Sequence, residues 1–548
     1  MPQSSPPRTV DLVVPLEVYA DAAALRTACA ARAGLSPRDV RDVRIVRRSV
    51  DARRGRVRMA LRALVATEAL PPVPTPHPRD LPDLTGTAQV AIVGAGPAGL
   101  FCALELASAG IRSVVLERGF DVRTRRRHVA DLSARGQLHP ESNYCFGEGG
   151  AGTFSDGKLY TRSKKRGPVE AVLRDLVAYG APERILIDAR PHVGTNLLPR
   201  VVERMREHLR SAGVEVRFGA RVTGLRVRNG RVAGVVLADG EVVDVPDVVL
   251  ATGHSARDVF DFVRAAGAFV ERKPFAVGVR LEVSQARVDR MQYGAHAGDP
   301  LLGAASFRLV VPIGEGISAY SFCMCPGGHI APAATEPDGV VVNGWSPSSR
   351  RGRFANSGFV VPVDEDVLGA VGLDPADPLA GLSFQRRIER AAFAAGGGGF
   401  TAPALRARDF VERRISRDLP DASYPRGVQP GDLDDVLGPV APRLRRALSR
   451  LAERLPLFAD EHAVLVGVES RTSSPVRIPR DRDTRMHPAL PGLHPVGEGA
   501  GYAGGIVSAA LDGIATARAI ARRAGTRVHA VDPRCGGPPA AAQYPTAE

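Results

Sequence analysis

The chain has few of the features that would mark a secreted, membrane-bound or metal-dependent protein. Its 548 residues hold six cysteines: Cys29, Cys102, Cys145, Cys323, Cys325 and Cys535. That is too sparse for a disulfide framework. No pair has C-x-x-C spacing and no Cys/His set has zinc spacing, so no metal is expected. No apolar run approaches the ~20 residues of a spanning helix. The opening Met-Pro-Gln-Ser-Ser-Pro-Pro-Arg carries no apolar h-region. A cytoplasmic protein without membrane contact is expected. Lysine is nearly absent, confined to Lys158, Lys164, Lys165 and Lys273, so the formal net charge of +14 is almost all arginine. The charge is spread along the chain rather than gathered in a tail. It argues for anionic ligands in general and against nucleic acid as the main partner.

Glycine, by contrast, is placed with purpose. Four apolar residues, Val90-Ala-Ile-Val93, run straight into Gly94, Gly96 and Gly99. The G-x-G-x-x-G spacing after a buried strand predicts a strand, a tight turn and a helix over 98–109 that binds a dinucleotide. Gly94 makes the turn, Gly96 lets backbone approach a pyrophosphate, and Gly99 lets helix pack on strand. The helix N-terminus offers free amides and a positive dipole end to the phosphates. A second strand, 113–116, delivers Glu117 at about the ~20-residue offset suited to ribose hydroxyls.

Around this motif the chain divides into segments. Residues 1–70 read as a small βαββ accessory unit, with a strand at 10–18, a helix capped by Asp21, and strands at 39–49 and 56–66. Its strands are dotted with arginine, including Arg44, Arg47, Arg48, Arg56 and Arg58. No aromatic residues interleave with them as stacking platforms, so a solvated face is expected rather than an RNA-binding arm. Residues 71–84 form a proline-rich linker. Residues 85–269 read as the first part of a doubly wound, Rossmann-type α/β domain. An arginine-rich helix is expected over 117–137, strands at 215–218 and 247–254, and a hairpin around Asn229-Gly230. Within it, Gly147, Gly149, Gly150, Gly152 and Gly157 are too dense for a regular element, and predict a loop lying against a flat ligand with its amides on offer. Residues 270–470 change texture to short strands, including 317–325, and read as an inserted α+β substrate or cap domain. Residues 471–532 return to the first domain, and 533–548 read as a disordered tail.

Three stretches converge in such a sheet: the first glycine turn with Glu117, Ala251-Thr252-Gly253, and Gly497-Glu498 with Gly504-Gly505. All sit at carboxyl ends of strands, where ligands bind. Glu498 suits a polyol arm. The helix starting near Ile506 points its N-terminus at something anionic. A dinucleotide with a polyol arm and a ring that is anionic when reduced is FAD. The residues expected to contact it are Gly94, Gly96, Pro97, Ala98, Gly99, Glu117 and Arg118. Further along come Gly149, Gly150, Gly152, Thr153, Val222, Ala251, Thr252 and Gly253, then Gly497, Glu498, Gly504, Gly505 and Ile506. No second G-x-G-x-x-G follows a strand, and no C-x₄-C pair follows Glu117. A nicotinamide is therefore expected only as a transient reductant at the flavin face.

These FAD signatures resemble those of the glutathione-reductase-like flavoprotein superfamily. Longer motifs are similar to those of a bacterial group of uncharacterised FAD-dependent dehydrogenases. They are Arg48-Ser-Val-Asp-Ala-Arg53, Gly147-Glu-Gly-Gly-Ala-Gly-Thr-Phe-Ser-Asp-Gly-Lys-Leu159, Cys323-Met-Cys-Pro-Gly-Gly328, Gly467-Val-Glu-Ser-Arg-Thr-Ser-Ser-Pro475 and Gly497-Glu-Gly-Ala-Gly-Tyr-Ala-Gly-Gly505. The resemblance implies FAD binding and an oxidoreductase, with no particular substrate. Candidates for work on a small, anionic substrate are Lys158, Cys325, His254 and Arg471. Lys158 would steady an anion. Cys325, with Cys323, would supply a thiol. His254 and His329 would carry protons near pH 7, and Arg471 would clamp a carboxylate or a flavin carbonyl. The alternatives are a flavoprotein acting on RNA through the N-terminal unit, and a non-catalytic flavin sensor. The sequence sets no oligomeric state.

Overall fold

The computed structural model describes residues 6–160 and 167–526. Lys164, Lys165, Cys535 and the tail at 533–548 lie outside the described residues. The apolar run Val90–Val93 is wholly buried. It is the middle strand of a five-stranded sheet ordered Leu493–Pro495, Asp247–Leu250, Val90–Val93, Ser113–Glu117, Glu215–Phe218. Every pairing in it is parallel. The strand from the far end of the chain joins beside Asp247–Leu250, so the last glycine turn opens on the same sheet edge as the first.

Two helices cover one face, Pro97–Ser108 and Ile506–Arg523. They cross closely because Gly513 has no side chain; a Cβ there would collide with the Ala98 carbonyl. Glu105 ties them down, accepting from Arg79 at 2.7 Å and Arg518 at 2.6 Å. The arginine-rich helix is shorter than expected, Val122–Arg135, because the Asp121 carboxylate caps it by accepting from the Arg123 and Thr124 amides. The hairpin around Asn229-Gly230 is part of a separate three-stranded meander, Val222–Arg228, Arg231–Leu237 and Val242–Asp244.

A second, eight-stranded sheet is built wholly from residues 275–469. Its order is Val310–Gly314, Ile317–Pro332, Phe354–Val363, Phe275–Ser284, Val464–Glu469, Ala402–Arg406, Val428–Pro430, with Val342–Trp345 beside Ile317–Pro332. Strand Phe275–Ser284 is buried on both faces. Val277, Val279, Leu281 and Val283 join the apolar core with Leu444, Leu448 and Leu451 of helix Ala441–Arg454. Arg280 and Glu282 alternate onto the other face. The strand expected at 317–325 runs on to Pro332. Its pairing with Phe354–Val363 slips twice, between Phe322 and Cys325 and between Cys325 and Gly328. The bulges absorb Pro326-Gly327-Gly328, which would otherwise end the strand.

The N-terminal unit is a three-stranded sheet, Arg8–Pro15, Arg58–Ala66, Asp42–Asp51, with helix Ala22–Ala33 packed on it. Asp21 caps that helix, accepting from the Ala23 and Ala24 amides. The first strand stops at Pro15 rather than at residue 18, and Leu16–Ala20 turns helical. The unit docks on the body through Arg48. Its amide donates to the Ile187 carbonyl at 2.9 Å, and its side chain donates to Asp188 at 2.7 Å and to Tyr19 at 3.0 Å. Among the described residues no helix is long and apolar enough to cross a membrane.

Candidate functional site

A cavity of about 280 Å³ lies along the carboxyl ends of the parallel strands and reaches the eight-stranded sheet. At one end are Gly94, Gly96, Pro97, Ala98, Glu117 and Arg118; then come Val222, Ala251, Thr252, Gly253, Gly497, Glu498, Gly505 and Ile506; at the far end are Lys158, Cys323, His254 and Arg471. The three glycine turns, far apart in sequence, thus meet on one wall. Five of the expected residues do not line it. Gly99 is taken up by packing, since a Cβ would strike the Gly94 carbonyl. Gly149 has φ +78° and its missing side chain makes room for Thr153, itself buried. Gly504 stands behind Glu498, and Cys325 is buried behind Cys323.

Glu117 is held more firmly than a ribose contact alone would need. One carboxylate oxygen accepts from the Ala95 amide at 2.8 Å; the other accepts from Gly119 at 2.9 Å and Gly147 at 3.0 Å. It joins the first glycine turn to the glycine-rich loop. The loop does not hold out all its amides, as expected from sequence. Those of Gly147 and Gly149 are bound to Glu117 and to the Ala95 carbonyl. What shapes the loop is Arg125, fully buried, which donates to the carbonyls of Asn143, Tyr144, Gly147, Glu148 and Gly150. Burial pushes its guanidinium down to about 10. Nothing in the run Arg123-Thr-Arg-Arg-Arg127 singles it out. Asp512 plays the matching part at the other turn. Its carboxylate accepts from the Gly497 amide at 2.8 Å and pairs with Arg480.

The far end differs from expectation in three ways. His254 is pushed down to about 3 by burial and by the Arg471 and Arg257 charges, so at pH 7 it is neutral, not a proton carrier. Its Nδ1 is buried without a partner. His329 is likewise lowered by burial, and stacks on Trp345. Arg471 lines the cavity, but its donors go to Glu389 and to Thr335, the latter at 2.9 Å. Against the cost of burial, Arg471 and Arg257 hold Glu389 down to about 2. Arg471 therefore belongs to a buried ion cluster. Lys158 also lines the cavity, 3.7 Å from Asp156. Against burial, the Cys323 and Asp156 charges hold its ammonium above the usual lysine range.

The donor set fits FAD. Gly96 leaves open space over the turn, with only Gly150 Cα at 3.8 Å from a Cβ placed there. The Ile506–Arg523 helix starts on the cavity at Gly505, with no side-chain cap taking its amides. Glu498 faces the cavity without a hydrogen-bond donor from the described residues, and burial pushes its carboxyl up to about 7. Among the described residues no group of three or more His, Cys, Asp or Glu could hold a metal.

A parallel sheet whose glycine turns, ribose-spaced acid and helix N-termini meet on one elongated cavity defines a dinucleotide-binding flavoprotein. Residues 87–130 match the model of an FAD binding domain, and 274–472 that of the FAD-dependent protein, C-terminal domain-like. Residues 171–288 match pyridine nucleotide-disulphide oxidoreductase, and 6–66 a domain of unknown function. A protein of Clostridium beijerinckii, named only as uncharacterized, is 40% identical over 440 residues, 79% of this chain and 80% of its own. The chain belongs to the same family of FAD-dependent flavoproteins as that clostridial protein, and FAD is its cofactor. Looser structural matches include a geranylgeranyl bacteriochlorophyll reductase-like protein of Thermoplasma acidophilum (14% identity, 80% of this chain and 79% of the other, TM-score 0.36). Another is glycine oxidase of Bacillus cereus (13% identity, 81% of this chain and 100% of the other, TM-score 0.32).

Proposed function

We infer that this chain is an FAD-dependent oxidoreductase that passes hydride between a small, anionic organic substrate and the flavin N5. The observation that carries the reading is one cavity with the dinucleotide fingerprint at its first end and Lys158 at its last. In this reading Gly96 and the N-terminus of helix Pro97–Ser108 receive the pyrophosphate, and Glu117 faces the ribose. Glu498 accepts from the hydroxyls of the ribityl chain. The N-terminus of Ile506–Arg523 faces the electron-rich edge of the ring, where a positive dipole end favours added negative charge.

Bound FAD supplies the two-electron chemistry. The chain supplies the rest. Lys158 offsets a substrate carboxylate, and His254, neutral, offers a fixed hydrogen-bonding edge. The Arg471–Glu389–Arg257 cluster holds that wall rigid, and the eight-stranded sheet roofs the cavity against water. A nicotinamide would reach the flavin face only as a visiting reductant. The arginines of the N-terminal unit are largely engaged in the fold, Arg48 with Asp188, Arg53 with Asp51 and Arg62 with Asp11. That supports an accessory role over an RNA-binding one.

The test is anaerobic reduction of the bound flavin by a panel of carboxylated metabolites and by NADH and NADPH. Bleaching of the flavin absorption by at least one class is expected. If no member reduces it, the sensor reading takes over.

A further inference from the structure

We propose that Cys323 and Cys325 form a two-thiol exchange site in the wall of the FAD cavity, and that its substrate class is a small disulfide. The proposal rests on the flavoprotein reading only for the identity of the cavity.

Two cysteines spaced C-x-C in a flat strand would sit roughly 6.5–7 Å apart at Cα, too far for easy exchange. This strand is not flat. Its pairing slips between Phe322 and Cys325, and Cys323 has φ +47°. A left-handed non-glycine residue costs about 1–2 kcal/mol, and such strain is kept where the surroundings fix it. Here the effect is to fold the chain back at Cys323, so that the Cys325 thiol donates to the Cys323 carbonyl at 3.2 Å and one lysine reaches both sulfurs. Cys323 reaches the cavity while Cys325 stays buried behind it.

Two cations converge on the pair. Lys158 Nζ stands 3.8 Å from the Cys323 sulfur and 3.7 Å from that of Cys325. Arg280 donates to the Cys323 carbonyl at 2.8 Å and to the Cys325 sulfur at 3.5 Å. The acids nearby are each engaged or neutralised. Asp156 pairs with Arg350, Glu469 pairs with Arg280 and is pushed up to about 7 by burial, and Glu498 is raised likewise. The result is an asymmetric pair. The neighbouring Cys325 thiol, then Lys158 and Arg280, hold Cys323 well below the usual thiol range. Burial, then Cys323 itself, pushes Cys325 up. A low attacking thiol beside a protonated partner is the arrangement of an exchange pair. The contrast lies within the same chain: Cys29 is simply raised by burial, and Cys102 by burial and nearby carboxylates, as packing cysteines are.

The step balances. The Cys323 thiolate attacks one sulfur of R–S–S–R; a mixed disulfide forms and RS⁻ leaves, taking a proton from the Lys158 ammonium. Lys158 recovers that proton from Cys325, whose sulfur attacks Cys323 and expels the second RS⁻. The protein dithiol is oxidised by two electrons and the substrate disulfide is reduced to one thiol and one thiolate, which takes its proton from water.

The test uses the full-length, FAD-loaded, reduced protein and 5,5′-dithiobis(2-nitrobenzoate) as the disulfide. Release of two thionitrobenzoates per site, leaving a Cys323–Cys325 disulfide in the peptide map, is expected. Cys325→Ser should stop at one, with the label held on Cys323. Cys323→Ser should slow the reaction at pH 7 by roughly tenfold or more. Lys158→Met should move the pH midpoint of the first step upward with flavin content unchanged. Peptide mass separates Cys145 and Cys535 from the pair. Labels retained on both cysteines, or Cys323 reacting with the pH profile of an ordinary thiol, would overturn the proposal. Flavin content of the same samples keeps the two readings apart. Yellow protein without the two-step release sinks this proposal alone, and colourless protein with it sinks only the flavoprotein reading of the cavity.

Discussion

The Glu117 carboxylate, at the end of the second parallel strand, accepts a hydrogen bond from the Gly147 amide at 3.0 Å while its other oxygen holds Ala95 at 2.8 Å. One side chain thus sets the gap between the fingerprint turn and the glycine-rich loop. Glu117→Gln keeps the shape but turns one acceptor into a donor that faces an amide. The cost of an unmade buried bond is about 1–3 kcal/mol, so FAD should bind roughly ten- to hundredfold more weakly. Fluorescence titration of FAD into apoprotein reads this; unchanged affinity would mean that the gap does not matter.

Gly96 and Gly99 separate ligand space from packing space. Gly96→Val should leave the apoprotein melting near wild type, since a Cβ there meets only Gly150 Cα at 3.8 Å, yet abolish FAD retention. Gly99→Val should lower melting itself, because it drives the helix off the Gly94 carbonyl. Thermal melts with and without FAD distinguish them, and a yellow Gly96→Val protein would contradict the pyrophosphate placement.

Arg125→Met should destabilise the fold. The change removes the guanidinium donors to five carbonyls in one loop, and leaves those of Asn143 and Tyr144 with no other donor among the described residues. A loss of about 3 kcal/mol or more is expected, with FAD content falling in parallel. A melt matching wild type would show that water replaces the guanidinium there.

Glu498 makes FAD binding depend on pH. Burial raises its carboxyl to about 7. Hydroxyl donors from the ligand favour the ionised form, so binding releases a proton below that value. Affinity should rise from pH 5 to about 7 and level off above. For the apoprotein the sign is opposite: a raised folded-state value gives stability present at low pH and lost as pH rises through about 7. Glu498→Gln should flatten both profiles, as followed by FAD titration and apoprotein melts; a flat wild-type profile would rule Glu498 out as the polyol acceptor.

The glycine turns were legible because each demands a residue type. Gly94, Gly253, Gly497 and Gly505 all have positive φ, which other residues avoid. The apolar runs into Gly94 and Thr252 likewise declared buried parallel strands. Charged residues carried no such mark. Arg125 was one arginine among several, and Arg471, expected to clamp substrate, turned inward to Glu389. His254 looked like a titrating group because its ordinary value lies near neutrality; burial beside Arg471 and Arg257 removed that property. The bulge at Cys323 left no trace beyond a C-x-C spacing, which on a regular strand holds the two sulfurs apart.

By itself the sequence determined the nucleotide fold, because local sterics oblige glycine and apolar runs to behave in one way wherever they occur. Only the tertiary structure decided which charges face each other. Lys158 meets Cys323 and Cys325, and Arg280 meets Glu469, across separate strands and loops. Those partnerships depend on distances and burial that arise when sheets pack, and no spacing along the chain encodes them.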